Sequence, residues 1–187
     1  MRLRNYIRMN LINNIQSNIK MKKIIVVVLL GLFNVVYSQT NSTNLNSQLE
    51  MMRKYFLEKK YNEFLNFTYP KVVEMMGGRE KSIKATKASI EKMEKEGYTF
   101  VNIKFKNPSK FIKKGTETQF TITQELLMKT PKGNILAEYT MIGISNDNGK
   151  NWKFIDTSGK SKEVMRKYFP NLSPDIVIKT KTQKLVD

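Results

Sequence analysis

The sequence predicts an α+β fold: N-terminal helices packed on a curved antiparallel sheet of about four to five strands, with a short C-terminal helix. Three observations carry this. Apolar residues recur at helical spacing from Leu45 onward. From Tyr98 the apolar period switches to two, the signature of half-buried strands. The strongest turn signal, Asp147-Asn148-Gly149, falls between two such runs, where a tight hairpin needs residues that tolerate positive φ or bond their own backbone.

The elements follow in order. Leu45, Leu49, Met52 and Phe56 share one helical face, after a lead rich in N-cap formers (Asn41 to Asn44). A second helical pattern around Tyr61, Phe64 and Leu65 ends before Pro70, which kinks the path into a third apolar cluster, Val72, Val73, Met75 and Met76, expected in the core. Gly77-Gly78 stops it. Arg79 to Glu96 reads as a charged helix with Ile83, Ile90 and Met93 on one side and Gly97 as its cap.

Tyr98 to Lys106 alternates, with Val101, Ile103 and Phe105 expected inward. After Gly115 comes the longest strand signal, Phe120, Ile122, Leu126 and Met128 against Gln119, Thr121, Thr123 and Glu125. Thr130 to Asn134 is a turn, and Ile135 to Ser145 returns with Ala137, Tyr139 and Met141 on one side. Trp152 to Thr157 adds a further strand, giving a meander with one wet face. Ser161 to Phe169 is a short helix closed by Pro170, and Ile176 to Ile178 reads as a short edge strand. Residues 45–178 form one domain, and 179–187 a polar tail expected to fray.

Upstream, Met21-Lys22-Lys23 and the apolar run Ile24 to Phe33 read as a signal peptide over residues 21–38, with Val36 and Ser38 at the cleavage-site positions. The run is well short of the ~20 residues of a spanning helix, so no transmembrane span is expected after cleavage. Residues 1–20 read as an upstream extension that precedes the true start, and 39–44 as a polar lead. The expected destination is the periplasm or the exterior.

Composition excludes several chemistries. The chain has no cysteine and no histidine, which removes disulfides, thiol and Ser-His-Asp catalysis, and the usual zinc ligand sets. No metal and no cofactor is expected. The net charge is +17, and six basic residues lie in 1–38. Beyond residue 38 the only arginines are Arg53, Arg79 and Arg166. Lysine lacks the planar fork that reads phosphates and bases bidentately, so no specific nucleic-acid partner is expected.

The spacing Ser145-x-Asp147-x-Gly149-x-x-Trp152 resembles the Asp-box of sialidases and other β-propeller proteins, where Ser and Asp hold a turn and the aromatic packs inward. It occurs once here, without a propeller's repeat. The resemblance implies a structural lock. The order of elements over most of residues 45–178 resembles the NTF2-like (cystatin-like) superfamily. Small exported proteins of that kind carry a Tyr-Pro-Lys-Val-Val run (here Tyr69 to Val73), a Gly-Gly stop and a Trp-x-Phe-Ile-Asp strand (Trp152 to Asp156). The resemblance implies a cone whose mouth holds a small apolar ligand. In catalytic members it implies an acid or tyrosine inside the cone.

Three readings follow. The first is a non-catalytic module of the cell envelope that binds a small apolar ligand or an envelope protein, with Tyr98, Phe100, Tyr139 and Trp152 near any pocket. The second is an isomerase-like enzyme with Asp156 or Glu138 as base and Tyr139 or Tyr98 as donor; Asp156 reads equally as the cap of the turn before Gly159, and Glu138 as a solvated strand residue. The third is adhesion to anionic surfaces through Lys104, Lys106, Lys110, Lys113 and Lys114, in a stretch with no acidic residue between Gly97 and Thr116. The first is expected to hold, with a greasy interior that presents no reactive group.

Overall fold

A computed structural model describes residues 44–186. The upstream extension, the signal segment and residues 39–43 of the polar lead lie outside the described residues. Helix α1 covers residues 44–57 and buries Leu45, Leu49 and Met52, the stripe its spacing announces. Helix α2 is Tyr61–Phe64, α3 is Pro70–Met75 with its proline in the first turn, and α4 is Arg79–Lys95. A proline there is tolerated because its missing N–H would have had no partner.

The sheet has six strands: β1 Thr99–Lys106, β2 Ile112–Lys114, β3 Glu117–Thr130, β4 Gly133–Ser145, β5 Lys153–Asp156 and β6 Thr182–Val186. Its spine is the long hairpin β3–β4, paired from Thr118↔Ser145 to Thr130↔Gly133. Outside β3 lie β1 and β2, end to end; outside β4 lie β5 and β6. All pairings are antiparallel. Helix α5, Lys162–Tyr168, falls between β5 and β6, its first turn capped by Ser161 Oγ.

Both faces of the sheet are covered. On one, Leu45, Leu49 and Met52 of α1 pack with Phe120, Ile122, Met141, Trp152 and Phe154. On the other, Ile142, Ile144 and Ile155 pack with Met165 of α5 and with Phe169, Leu172 and Ile176 beyond it. The expected wet face is therefore a second core. Gln119, fully buried, fastens that layer: its Nε2 donates to Glu117 (2.7 Å) and to the Asn171 carbonyl (3.1 Å), while its Oε1 accepts from Ser173 N (2.9 Å). Such side-chain bonds to a loop backbone are how a buried amide meets its own hydrogen-bonding demand.

Other expectations are corrected. The strands number six rather than four or five, because β2 and β6 are short and polar and carry little apolar alternation. Ile176 to Ile178 is no strand; Ile176 is drawn into the second core instead. The tail is not frayed: Thr182–Val186 pairs with Asn134 to Glu138. A register shift between Phe100 and Asn102 turns Val101 outward, half exposed, and lets Phe100 pack edge-on against Phe56 at 5.1 Å. Met75 and Met76, expected in the core, are exposed.

Candidate functional site

The turn after β4 is held by its side chains. Ser145 Oγ donates to Asp147 Oδ1 (2.8 Å) and accepts from Gly149 N (2.9 Å). Asp147 then accepts from Asn151 N (2.8 Å) and Asn151 Nδ2 (2.7 Å). Asn148 and Gly149 sit at φ of +59° and +86°, the conformation those residue types adopt most readily. Burial opposes ionisation of Asp147, but the bonds from Asn151, Ser145 and Lys150 outweigh it and hold the carboxyl below its usual range.

Helix α1 docks on this turn. Asn44 Nδ2 donates to the Gly149 carbonyl (2.8 Å), Gln48 Nε2 to the Lys150 carbonyl (2.9 Å), and Gln48 Oε1 accepts from Trp152 N (2.8 Å). Trp152 is 1% exposed, edge-on to Phe120 at 4.9 Å and stacked on Phe111 at 5.5 Å. It is a core residue.

Further along the same face of the sheet the packing opens into a cavity of about 520 Å³ between α1, α2, α3, α4 and the sheet. Its walls are mainly apolar: Phe56 and Phe64 from the helices, Ile103, Phe105, Met141 and Phe154 from the strands. Among the strand positions on this wall, Gln124 and Asp156 are the polar ones.

Register brings three polar groups together. Gln124 of β3 faces Tyr139 of β4, and Met141, two residues on, faces Asp156 of β5. Tyr139 and Asp156 are thus diagonal neighbours on one face, a separation an aromatic side chain spans. Gln124 Nε2 donates to Tyr139 Oη (2.7 Å), and Tyr139 O–H donates to Asp156 Oδ2 (3.3 Å). Asp156 Oδ1 accepts from Ser158 N (2.6 Å) and Ser158 Oγ (3.3 Å).

Asp156 is solvent-exposed on the cavity wall, although protein surrounds much of its carboxyl group. Burial therefore raises its carboxyl above the ordinary range, against the lowering effects of Ser158, Tyr139 and Lys160. Tyr139 is pushed well above an ordinary phenol, first by burial and then by the Asp156 charge. The interior is thus not purely greasy: the Gln124 amide and the Asp156 carboxylate stand on the cavity wall, and the Tyr139 hydroxyl, itself off that wall, bonds to both.

The other sequence candidates lie elsewhere. Glu138 faces Glu125 on the opposite side of the sheet, because it is one residue out of phase with Tyr139. None of the four expected pocket aromatics, Tyr98, Phe100, Tyr139 and Trp152, lines the cavity; Tyr139 touches its wall only through Gln124 and Asp156. Gln124 completes the polar floor without belonging to any chemical motif in the sequence. Its signal was there: a lone polar side chain in the inward series Phe120, Ile122, Leu126, Met128.

The lysine run is not uniform in space, since Lys104 lies opposite Glu125, and Lys106 pairs with that same carboxylate. Among the described residues no group of three or more His, Cys, Asp or Glu comes together. No helix among them is long and apolar enough to cross a membrane. What the geometry defines is an α+β protein with an open six-stranded antiparallel sheet and an apolar cavity with a polar floor. No family model matches the chain, and no curated protein or solved structure matches it either.

Proposed function

We propose that this chain is an exported, NTF2-like ligand-binding module of the cell envelope. Its ligand is a small molecule, mostly apolar, with one hydroxyl or carbonyl group. The observation that carries the reading is the cavity itself: about 520 Å³, apolar on its walls, with Gln124 and Asp156 on its floor, joined through the Tyr139 hydroxyl. Concave apolar sites with a few convergent polar groups are where small molecules bind, the walls giving affinity and the polar groups orientation. Export rests on the basic and apolar pattern of residues 21–38.

The test is saturable binding of a neutral apolar fluorophore such as Nile red, with Thr86→Trp as the blocking variant. Thr86 is a half-buried residue of α4 on the cavity wall, so an indole there fills the space without entering the sheet. Binding that saturates in the parent and disappears in Thr86→Trp supports the reading; binding indifferent to the substitution refutes it.

A second reading, proton transfer α to a carbonyl, is favoured by one observation, the Asp156 carboxylate on the cavity wall accepting from a tyrosine hydroxyl, with its pKa shifted upward. Binding accounts better for the bonding, because the Tyr139 proton is already directed at Asp156 rather than at a ligand oxygen. Deuterium exchange at the α-carbon of a cyclic enone, present in the parent and absent in Asp156→Asn, would favour catalysis instead.

A further inference from the structure

We infer that the cavity takes an elongated amphipathic carboxylate, its acid on Arg53 and a hydroxyl or carbonyl at its far end on Gln124, Tyr139 and Asp156. This rests on the cavity reading above and names the ligand class. Arg53 is the one cationic side chain on the cavity wall among the described residues. It stands at the β1 rim, where its Nη1 donates to Asn102 Oδ1 (3.3 Å) and its Nε to Glu50 Oε2 (2.9 Å). A guanidinium has five N–H donors, so three remain without a protein acceptor among the described residues. The pair with Glu50 is solvent-exposed, 32% and 62% for the two side chains, and such pairs are weak enough for a ligand carboxylate to share or displace.

The two charged groups lie at opposite sides of the sheet. Arg53 is by β1 and Asp156 is on β5, in the strand order β1-β3-β4-β5. Three inter-strand steps of ~4.8 Å and a five-residue offset at ~3.3 Å per residue place Asp156 ~22 Å from Asn102, and Tyr139, two strands and three residues away, ~14 Å from it. Ile103, Phe105 and Met141 lie between them on the wall. Charge fixes the direction of the ligand. A carboxylate at the β5 end would meet Asp156 with like charge, whereas at the β1 end it meets a planar fork suited to it. The floor can donate to or accept from a neutral oxygen.

The experiment is displacement of Nile red from the full chain by dodecanol, dodecanoate and ω-hydroxydodecanoate. In the parent, dodecanoate displaces the probe at lower concentration than dodecanol, and ω-hydroxydodecanoate at the lowest. Arg53→Gln weakens both acids by about tenfold or more, the scale of lost charged hydrogen bonds, and leaves dodecanol unchanged. Arg53→Lys restores part of the loss. Tyr139→Phe brings ω-hydroxydodecanoate down to dodecanoate. The inference is overturned if Arg53→Gln affects acid and alcohol alike or neither, or if dodecanol competes as well as dodecanoate in the parent. If Thr86→Trp leaves displacement by all three intact, the cavity is not the site, and the binding reading falls with it.

Discussion

Gly143 is where the packing leaves least freedom, and Gly143→Ala tests it. The residue lies on the α1-covered face of β4, directly opposite Phe120. A Cβ there would stand 2.0 Å from Phe120 Cε1, 2.6 Å from Cζ and 2.8 Å from Cδ1. The ring is fully buried, and it is edge-on to Trp152 at 4.9 Å and to Phe111 at 5.4 Å, so it has nowhere to retreat. Overpacking of this kind costs about 1–3 kcal/mol, and three sub-contact distances argue for the top of that range. Against it, alanine in a strand is favoured over glycine by roughly 0.5–1 kcal/mol through backbone entropy. The clash wins, leaving a net loss of about 2 kcal/mol. Urea unfolding followed by Trp152 emission reads this as a midpoint lowered by about 1 M at unchanged slope, given m-values of about 1–3 kcal/mol/M. The double variant Gly143→Ala/Phe120→Leu loses less than the two singles together, since the smaller side chain vacates the contact. A midpoint that stays put or rises in Gly143→Ala would refute the reasoning, because it would mean that the ring yields freely.

Four further outcomes are expected. Asp147→Ala removes the acceptor of both Asn151 donors and costs about 1.5–3 kcal/mol, the range for hydrogen bonds to charged groups, read by thermal melting. Because the Asp147 carboxyl is held below its usual value, its contribution is present above the unfolded-state pKa and lost as pH falls through the folded one; Asp147→Asn flattens that acid limb. Asp156 works the other way. Its carboxyl is raised first by burial, so its contribution is full below the unfolded-state pKa and fades as pH rises through the folded one. Asp156→Asn therefore gains stability relative to the parent at neutral pH, and melts from pH 4 to 8 that ran parallel would contradict it. Gln48→Ala leaves the buried backbone N–H of Trp152 without an acceptor and costs about 1–3 kcal/mol, measured by denaturant midpoint.

Much of the fold is legible in residue types alone, and the misses share a cause. The α1 stripe, the β3–β4 hairpin and the Ser145–Trp152 turn are strong local signals, and local physics decides them. Val101 was misplaced because a bulge adds a residue to one strand and flips the parity beyond it, which alternation by itself does not reveal. The tail was misplaced because Thr182–Val186 is exposed along nearly its whole length. Its order comes from the open edge of β4, a partner about fifty residues away. Likewise the polar face of β3 looks solvated in sequence, and only the return of residues 169–176 over it makes a second core.

The polar floor shows how far counting can go. Once the turn at Pro131-Lys132 is placed, stepping outward from Thr130↔Gly133 puts Gln124 opposite Tyr139, so that contact is implicit in the sequence. Asp156 is different, because its neighbour is set by the geometry of the turn between β4 and β5. Ser145, Asp147 and Asn151 close that turn with Ile144 opposite Lys153, and Asp156 then falls beside Met141. A slip of one residue would send the carboxylate through to the other face. The turn lock and the cavity are therefore one arrangement. The Ser–Asp–Asn bonds at one end of β5 hold the register that aims Asp156 at Tyr139 at the other. Loosening the turn should accordingly disturb ligand binding at a floor it never touches.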